Sequence, residues 1–157
     1  MFGILKKEKT LAAPVSGEVI GIDKVPDQVF SQKILGEGFA VIPDNGNIVS
    51  PANGTVTEVS ETLHAYCITS DDGLEILVHI GIDTVELKGS GFTAQVHRGD
   101  KVSVGTPLST ADLKKISESG FKTVTVVVIT NSDRLKSFSV SEQKNAAAGA
   151  PVFIYKL

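Results

Sequence analysis

Glycine and proline recur along this chain at intervals short enough to limit most regular segments to a few residues. Between them, apolar and polar residues alternate with a period of two, the pattern of a strand with one buried face. The segments that read as strands are 19–22, 39–42, 55–59, 74–80, 102–104, 124–129 and 152–155. Many short strands joined by turns predict an all-β fold, either an antiparallel β-sandwich or a barrel.

Helical patterns are few. Residues 29–35 can form one or two helical turns that end at Gly36, and residues 109–116 predict a short helix with Ser109 or Thr110 as its N-cap. The predicted fold class is therefore all-β with one or two short helices.

Two patterns occur twice, and they bear on the architecture. Pro14 and Pro51 each begin the order proline, two residues, glycine, one residue, valine, and residues 105–108 resemble residues 149–152. A tight turn that leads into a strand, used twice, predicts duplicated hairpins around a common core. The alternative is that glycine and proline recur by chance in a turn-rich chain.

Composition restricts the class of protein. The length of 157 residues suits a single domain over 1–157, and 41% hydrophobic with 21% charged residues is ordinary for a globular chain. A formal charge of −3 without a basic stripe argues against nucleic acid as a partner. The single cysteine, Cys67, excludes an intrachain disulfide and fits a reducing cytoplasm.

The N-terminal residues MFGILKKEK place an apolar patch before the lysines, which is the reverse of the order in a secretory signal. No apolar run approaches membrane-spanning length. We expect residues 1–10 to form a flexible N-terminal tail.

The alternating run at residues 74–83 carries a candidate reactive residue. One strand face would bury Ile76, Val78 and Ile80, whereas the other presents Leu77 beside His79. A histidine is thus offered from an apolar surface on a regular element.

A hairpin is predicted between His79 and a second histidine, His64. Residues 70–73 read Ser-Asp-Asp-Gly, and Asp-Gly between alternating segments is typical of a hairpin turn. Such a hairpin would bring His64 near His79, with Thr62 in the same alternation as His64.

Neighbouring histidines can carry covalent chemistry. A neutral imidazole accepts a proton, a metal or a phosphoryl group, and a second imidazole or the Thr62 hydroxyl can donate a hydrogen bond to the developing charge. Gly81 permits close approach of a backbone or ligand, and the amides of residues 80–82 are candidates to face an anion. The alternative is that both histidines are ordinary hydrogen-bonded residues of a sheet.

Other chemistries have less support. No glycine-rich phosphate loop opens a helix, and no serine lies in a G-x-S-x-G element. Cys67 follows His64 by three residues, on the opposite face of an extended strand, as expected of a packed thiol. Zinc can use His64 and His79 as two ligands, with a third from Asp83 or a partner. His97 lies in a polar turn and is expected to be an ordinary surface residue.

Residues 61–91 resemble the active-site region of the glucose-type enzyme IIA family of the bacterial phosphoenolpyruvate-dependent sugar phosphotransferase system. The shared pattern is Thr-x-His-Ala at residues 62–65, a spacing of 79 − 64 = 15 between the histidines, and His-Ile-Gly-Ile-Asp-Thr-Val at residues 79–85. Residues 13–19, 25–38, 50–56 and 126–131 also match in order. The resemblance covers nearly the whole chain, although residues 133–148 match loosely and Ser60 stands where relatives often have phenylalanine.

The resemblance implies a phosphoryl carrier with a sandwich fold of duplicated hairpins. His79 matches the histidine that the histidine phosphocarrier protein HPr phosphorylates on Nε2. His64 matches the histidine that hydrogen-bonds the phosphoryl group and supports its transfer to a cysteine on the IIB domain of a sugar permease. Thr62 matches the threonine that orients His64. No cofactor is required, although the two histidines bind zinc at a partner interface in some relatives.

The resemblance also implies a docking surface for successive partners. Asp27, Asp83 and Asp133 match acidic rim positions suited to an arginine of the incoming protein. The matching apolar positions are Val29, Phe30, Ile34, Leu35, Leu77 and Val85. We expect a cytoplasmic monomer, free-standing because the sequence starts with methionine, that is peripheral to the membrane only through its permease.

Two alternatives stay open. A regulatory module can use the same face to bind other proteins, with phosphorylation as its switch. A zinc-dependent hydrolase of related hairpin fold is a third hypothesis, which metal analysis would test.

Overall fold

The computed structural model describes residues 8–157, in which it shows fourteen β-strands and two short α-helices. The strands are β1 (Lys9–Ala12), β2 (Gly17–Gly21), β3 (Glu37–Pro43), β4 (Asn47–Val49), β5 (Gly54–Val59), β6 (Ala65–Ser70), β7 (Glu75–Ile80), β8 (Phe92–Ala94), β9 (Lys101–Val102), β10 (Pro107–Ala111), β11 (Thr125–Ile129), β12 (Ser137–Val140), β13 (Gln143–Ala146) and β14 (Pro151–Lys156). The helices are α1 (Gln28–Ser31) and α2 (Leu113–Glu118). Within residues 8–157, no helix is long and apolar enough to cross a membrane.

The strands form one eight-stranded antiparallel sheet and two sheets of three strands. The order in the large sheet is β13-β2-β3-β11-β7-β6-β5-β9, and the small sheets are β1-β14-β12 and β4-β10-β8. Among the described strands no sheet closes on itself, so the sandwich, not the barrel, is the confirmed form of the predicted all-β fold.

The main core fills the space between the large sheet and the two small ones. In β7, Ile76, Val78 and Ile80 are buried in alternation with less buried residues, which confirms the predicted pattern. Phe39 of β3 stacks on Phe153 of β14 with ring centroids 5.8 Å apart, so the two layers are joined by direct aromatic contact.

A smaller apolar cluster covers part of the outer face of the large sheet. The connection between β2 and β3 crosses this face and contributes Val25 and Phe30, which pack with Val126 and Val128 of β11. Leu77 of β7 packs against the same cluster. The candidate site described below lies beside this cluster.

The two halves of the sandwich are related by an approximate twofold axis between β7 and β11. The large sheet has the same order from either end when β13, β2, β3 and β11 are exchanged with β9, β5, β6 and β7. The Ala13 amide donates to the Ala150 carbonyl at 2.8 Å, and in the other half the Ser50 amide donates to the Thr106 carbonyl at 2.8 Å. These matched bonds confirm the predicted duplication, because chance recurrence would not produce them.

The repeated glycine of the sequence pattern has a steric cause. A Cβ on Gly17 would lie 2.0 Å from the Ile42 carbonyl oxygen, and a Cβ on Gly54 would lie 2.1 Å from the Thr69 carbonyl oxygen. The backbones cross so closely at both places that only glycine fits.

The helix predicted within residues 29–35 is a single turn. The Asp27 side chain caps α1 by accepting from the Val29 amide at 2.9 Å. Lys33 has a left-handed φ of 60°, which ends the helical path before Gly36.

The helix predicted for residues 109–116 is wrong in its first half. Ser109 and Ala111 are buried in β10, and α2 begins only at Leu113. Its cap is the Asp112 carboxylate, which accepts from the Lys115 amide at 3.1 Å, instead of Ser109 or Thr110. Residues 107–111 form a strand and not a helix because β10 lies between β4 and β8 and pairs with both.

The predicted flexible tail, residues 1–10, lies largely outside the described residues. Its last two positions are a correction, because Lys9 and Thr10 belong to β1 and pair with Tyr155 and Ile154 of β14. Lys9 also forms an ion pair with Asp72 at 3.5 Å. Ladder bonds to β14 therefore hold Lys9 and Thr10 in the sheet.

Candidate functional site

The predicted hairpin brings the two histidines together. Strands β6 and β7 pair with Ala65 opposite His79, and the Ile80 amide donates to the His64 carbonyl at 2.7 Å. The imidazole rings of His64 and His79 lie edge to face, with centroids 4.9 Å apart and an interplanar angle of 83°. The predicted adjacency is thus confirmed.

The tautomer of His79 follows from one hydrogen bond. Nδ1 of His79 lies 2.7 Å from the carbonyl oxygen of Gly81. A carbonyl oxygen can only accept, so Nδ1 carries the proton and donates it. In the neutral ring, the lone pair is then on Nε2, which is free to act as a nucleophile.

Gly81 is required by the shape of the chain after β7. Its φ is +80°, and a Cβ there would lie 2.8 Å from the Lys122 carbonyl oxygen and 2.5 Å from Cγ2 of Thr84. The residue therefore turns its own carbonyl toward His79 in a conformation that a side chain would prevent. The sequence indicated close backbone approach at Gly81, but not this hydrogen bond.

The expectation that the amides of residues 80–82 face an anion is wrong. Ile80 donates to the His64 carbonyl, Gly81 to the Val124 carbonyl at 3.0 Å and Ile82 to the Lys122 carbonyl at 3.1 Å. All three amide protons are used to hold the backbone, which leaves side chains to stabilise an anion.

The surroundings keep His79 neutral. Burial, followed by the neighbouring His64, lowers the pKa of His79 to about 4, against weaker opposing effects from the Gly81 carbonyl, Asp27 and Asp83. At neutral pH the ring is unprotonated on Nε2, the state that nucleophilic attack requires.

His64 is held by hydroxyl groups. Its side chain is buried, and Nδ1 lies 2.8 Å from Oγ1 of Thr62 and 3.4 Å from Oγ of Ser60. Burial lowers the pKa of His64, and an interaction with the backbone of Thr62 acts in the opposite direction. The Thr62 contact was expected from the sequence, whereas the Ser60 contact was not.

An aromatic ring and exposed apolar side chains surround the pair. Phe30 meets His79 edge-on with centroids 5.1 Å apart and is itself buried. Leu77 is half-buried on the same strand as His79. Four other predicted docking residues are exposed large apolar side chains, as a protein-binding face requires: Val29, Ile34, Leu35 and Val85.

The three predicted acidic rim residues do not lie together. Asp27 and Asp83 are close enough to His79 to raise its pKa. Asp133 is exposed in the 3-10 turn Ser132–Arg134, where Arg134 contacts Gly73 in the hairpin turn between β6 and β7. It therefore lies toward the end of β7 that is remote from His79.

Two remaining sequence expectations concern sulfur and zinc. Cys67 of β6 pairs with Leu77 of β7 and is half-buried, so it lies on the His79 side of the sheet and is not the core-packed thiol that was expected; burial raises its pKa. In the part of the chain that the structure describes, no group of three or more His, Cys, Asp or Glu side chains is arranged to hold a metal. Asp83 thus fails as a third zinc ligand, and a zinc site at His64 and His79 would need ligands from a partner.

Comparisons with known proteins identify the class. A profile of the family described as "phosphoenolpyruvate-dependent sugar phosphotransferase system, EIIA 1" matches residues 9–135. The glucose-specific EIICBA component of Streptococcus pneumoniae serotype 4 is 50% identical over 136 residues, 87% of this chain but 19% of that protein. The glucose-specific EIIA component of Oceanobacillus iheyensis is 43% identical over 143 residues, 91% of this chain and 87% of that protein.

A solved structure agrees. Glucose permease IIA from Mycoplasma capricolum superposes with a TM-score of 0.86 at 33% identity, covering 95% of this chain and 96% of that one. The fold and the matches together define a phosphotransferase component of a sugar phosphotransferase system. This chain spans about a fifth of the streptococcal relative and most of the Oceanobacillus one. It belongs to the EIIA type 1 family.

Proposed function

We propose that this chain accepts a phosphoryl group from phosphorylated HPr on Nε2 of His79 and passes it to a cysteine on the IIB domain of a sugar permease. The observation that carries the proposal is the bond from Nδ1 of His79 to the Gly81 carbonyl. Burial keeps the ring neutral, and in the neutral ring this bond leaves the lone pair on Nε2, beside a second imidazole.

The first step is an exchange of one nitrogen–phosphorus bond for another. Nε2 of His79 attacks the phosphorus of the phosphohistidine on HPr, and the bond from phosphorus to the donor imidazole breaks. Because Gly81 holds the ring by Nδ1, little reorientation accompanies the attack. Apolar neighbours such as Phe30 shield the labile phosphohistidine from water.

His64 stabilises the phosphoryl group during the second step. When Nδ1 of His64 accepts from the Thr62 hydroxyl, the ring proton is on Nε2 and can be donated to a phosphoryl oxygen. A cysteine thiolate of the IIB domain then attacks phosphorus, the bond to Nε2 of His79 breaks, and His79 regains its lone pair.

Partner docking uses the exposed apolar side chains and two of the acidic residues. Asp27 and Asp83 suit an arginine beside the phosphorylated residue of either partner. The names of two relatives join A, B and C components in one chain, one glucose-specific and one β-glucoside-specific. We therefore assign sugar choice to the membrane component, and we place this chain in the cytoplasm as a monomer without a required cofactor.

Phosphoryl transfer from labelled phosphoenolpyruvate through enzyme I and HPr tests the proposal. Wild type and His64→Gln should be labelled, whereas His79→Gln should not. Adding the IIB domain should remove label from wild type, but only slowly from His64→Gln and Thr62→Ala. His97→Gln is the matched control, because His97 is a histidine with its side chain 93% exposed, and it should behave as wild type.

The proposal would be contradicted if a folded His79→Gln variant were labelled, or if the wild-type protein were not labelled. An unlabelled but folded chain that still bound other proteins through Val29, Ile34 and Val85 would instead support the regulatory module. The exposure of these side chains is what keeps that second candidate in view.

A further inference from the structure

The turn between β5 and β6 holds two hydroxyl groups in place beside His64. Ser60 pairs with Ala65 through its amide, which donates to the Ala65 carbonyl at 3.0 Å. The Leu63 amide donates to the Ser60 carbonyl at 2.9 Å, and Leu63 has a left-handed φ of 62°, uncommon for leucine. Hydrogen bonds within the turn therefore fix its backbone, with the Ser60 and Thr62 hydroxyls beside the imidazole of His64.

The hydroxyls of Ser60 and Thr62 both lie near Nδ1 of His64. Oγ1 of Thr62 lies 2.8 Å and Oγ of Ser60 lies 3.4 Å from Nδ1 of His64. The Thr62 distance is that of a good hydrogen bond, and the Ser60 distance is that of a weak one. Ser60 is therefore the secondary partner of Nδ1.

The other contact of Ser60 fixes what its hydroxyl can do. Its Oγ accepts from the Ala65 amide at 3.1 Å, which occupies one lone pair and leaves the hydroxyl hydrogen unused. The nearby group that can take this hydrogen is Nδ1 of His64. Donation to Nδ1 requires a lone pair there, so it favours the neutral tautomer with the proton on Nε2.

We propose that Ser60 is a positioning residue that, together with Thr62, holds the proton of His64 on Nε2. The proposal rests on the proposed function, because Nε2–H is the group that would donate to the phosphoryl oxygen in the second transfer step. Ser60 acts through Nδ1 of His64. A residue without a hydroxyl at this position would leave Oγ1 of Thr62 as the side-chain oxygen at Nδ1.

Ring ¹⁵N chemical shifts of His64 at pH 8 test the tautomer directly in the whole folded chain. In Ser60→Ala, the ratio of the Nε2–H to the Nδ1–H tautomer should fall about two- to threefold, the low end for one hydrogen bond because this contact is weak. Ser60→Thr keeps a hydroxyl and should restore the wild-type ratio. An unchanged ratio in Ser60→Ala would overturn the proposal.

Transfer rates provide the second measurement. Ser60→Ala should slow release of the phosphoryl group to the IIB domain by a similar factor, while phosphorylation of His79 by HPr stays at the wild-type rate. The loss caused by Thr62→Ala should be larger in the Ser60→Ala background than in wild type, because each hydroxyl partly replaces the other. Equal losses in both backgrounds would also overturn it.

The result also separates this proposal from the proposed function. Label on a folded His79→Gln variant removes the function itself. Normal label and transfer in wild type, with Ser60→Ala identical to it, removes only the role of Ser60. Equal slowing of both transfer steps in Ser60→Ala would show a general loss of structure and would contradict the proposal.

Discussion

Acidification should destabilise this protein through His79 more than through any exposed histidine. Burial, followed by the charge of His64, holds the pKa of His79 at about 4 in the folded chain, against the ordinary value of 6.5 that applies when it is unfolded. As pH falls below 6.5, the unfolded chain binds the proton first. The folded state is therefore penalised progressively until pH reaches about 4, where both states are protonated.

The size of the effect follows from the two pKa values. The difference between 6.5 and about 4 corresponds to about 3 kcal/mol of unfolding free energy when the shift is fully expressed. At pH 5 the unfolded histidine is almost fully protonated and the folded one is still mostly neutral, which gives a loss of about 2 kcal/mol. Domains of this size have stabilities of about 5–15 kcal/mol, so the loss is readily measured.

Urea unfolding at pH 7.5 and pH 5 measures the loss. Wild type should lose about 2 kcal/mol more than His79→Gln between the two pH values, since glutamine does not titrate. His97→Gln, which removes an exposed histidine, should follow wild type. Parallel losses in wild type and His79→Gln would refute the argument that burial keeps this ring neutral.

Three further outcomes follow from the contacts described above. Asp27→Ala removes the cap of α1 and should lower the unfolding free energy by about 1 kcal/mol, while Asp27→Asn, which still accepts from the Val29 amide, should retain most of it in the same urea experiment. Gly38→Ala would place a Cβ 1.9 Å from the Val127 carbonyl oxygen, so the unfolding free energy should fall by about 3 kcal/mol. The melting temperature should fall with it, and an unchanged melting temperature would contradict this packing. Chelation with EDTA should leave labelling by HPr unchanged, and a loss restored by zinc would contradict the metal-free mechanism.

The sequence predicts the strands correctly where the pattern is local. The prediction fails where the conformation depends on pairing with other strands. Alternation in residues 74–80 is strong because one face of β7 is packed into the core. The short strand Pro107–Ala111 gives almost no pattern of its own, and its small residues Ser109 and Ala111 resemble a helix start. Its strand conformation comes from pairing with β4, where Ile48 lies 109 − 48 = 61 residues before Ser109, and with β8, from which β9 separates it in the sequence.

The site shows the same division. The nearness of His64 and His79 was predictable because a single hairpin turn joins their strands. The bond from His79 to the Gly81 carbonyl and the contact of Ser60 with His64 were not, because both depend on turns with positive φ, at Gly81 and Leu63. A leucine in the left-handed region leaves no mark in composition or periodicity.

The approximate twofold axis has one more consequence, which concerns how the two halves differ. The Gly81 amide donates to the Val124 carbonyl as the Thr130 amide donates to the Glu75 carbonyl, so Gly81 corresponds to Thr130 and His79 corresponds to Val128. Val128 is fully buried because the connection over residues 22–36, which is fifteen residues long, covers it. The corresponding connection, over residues 60–64, is five residues long.

In a symmetric dimer of two identical half-chains, the positions of His79 and Val128 would be equivalent, both covered or both accessible. Because both halves lie in one polypeptide, the connection between β2 and β3 can be longer than the corresponding connection between β5 and β6. One copy then serves as framework while the other is free to specialise in chemistry.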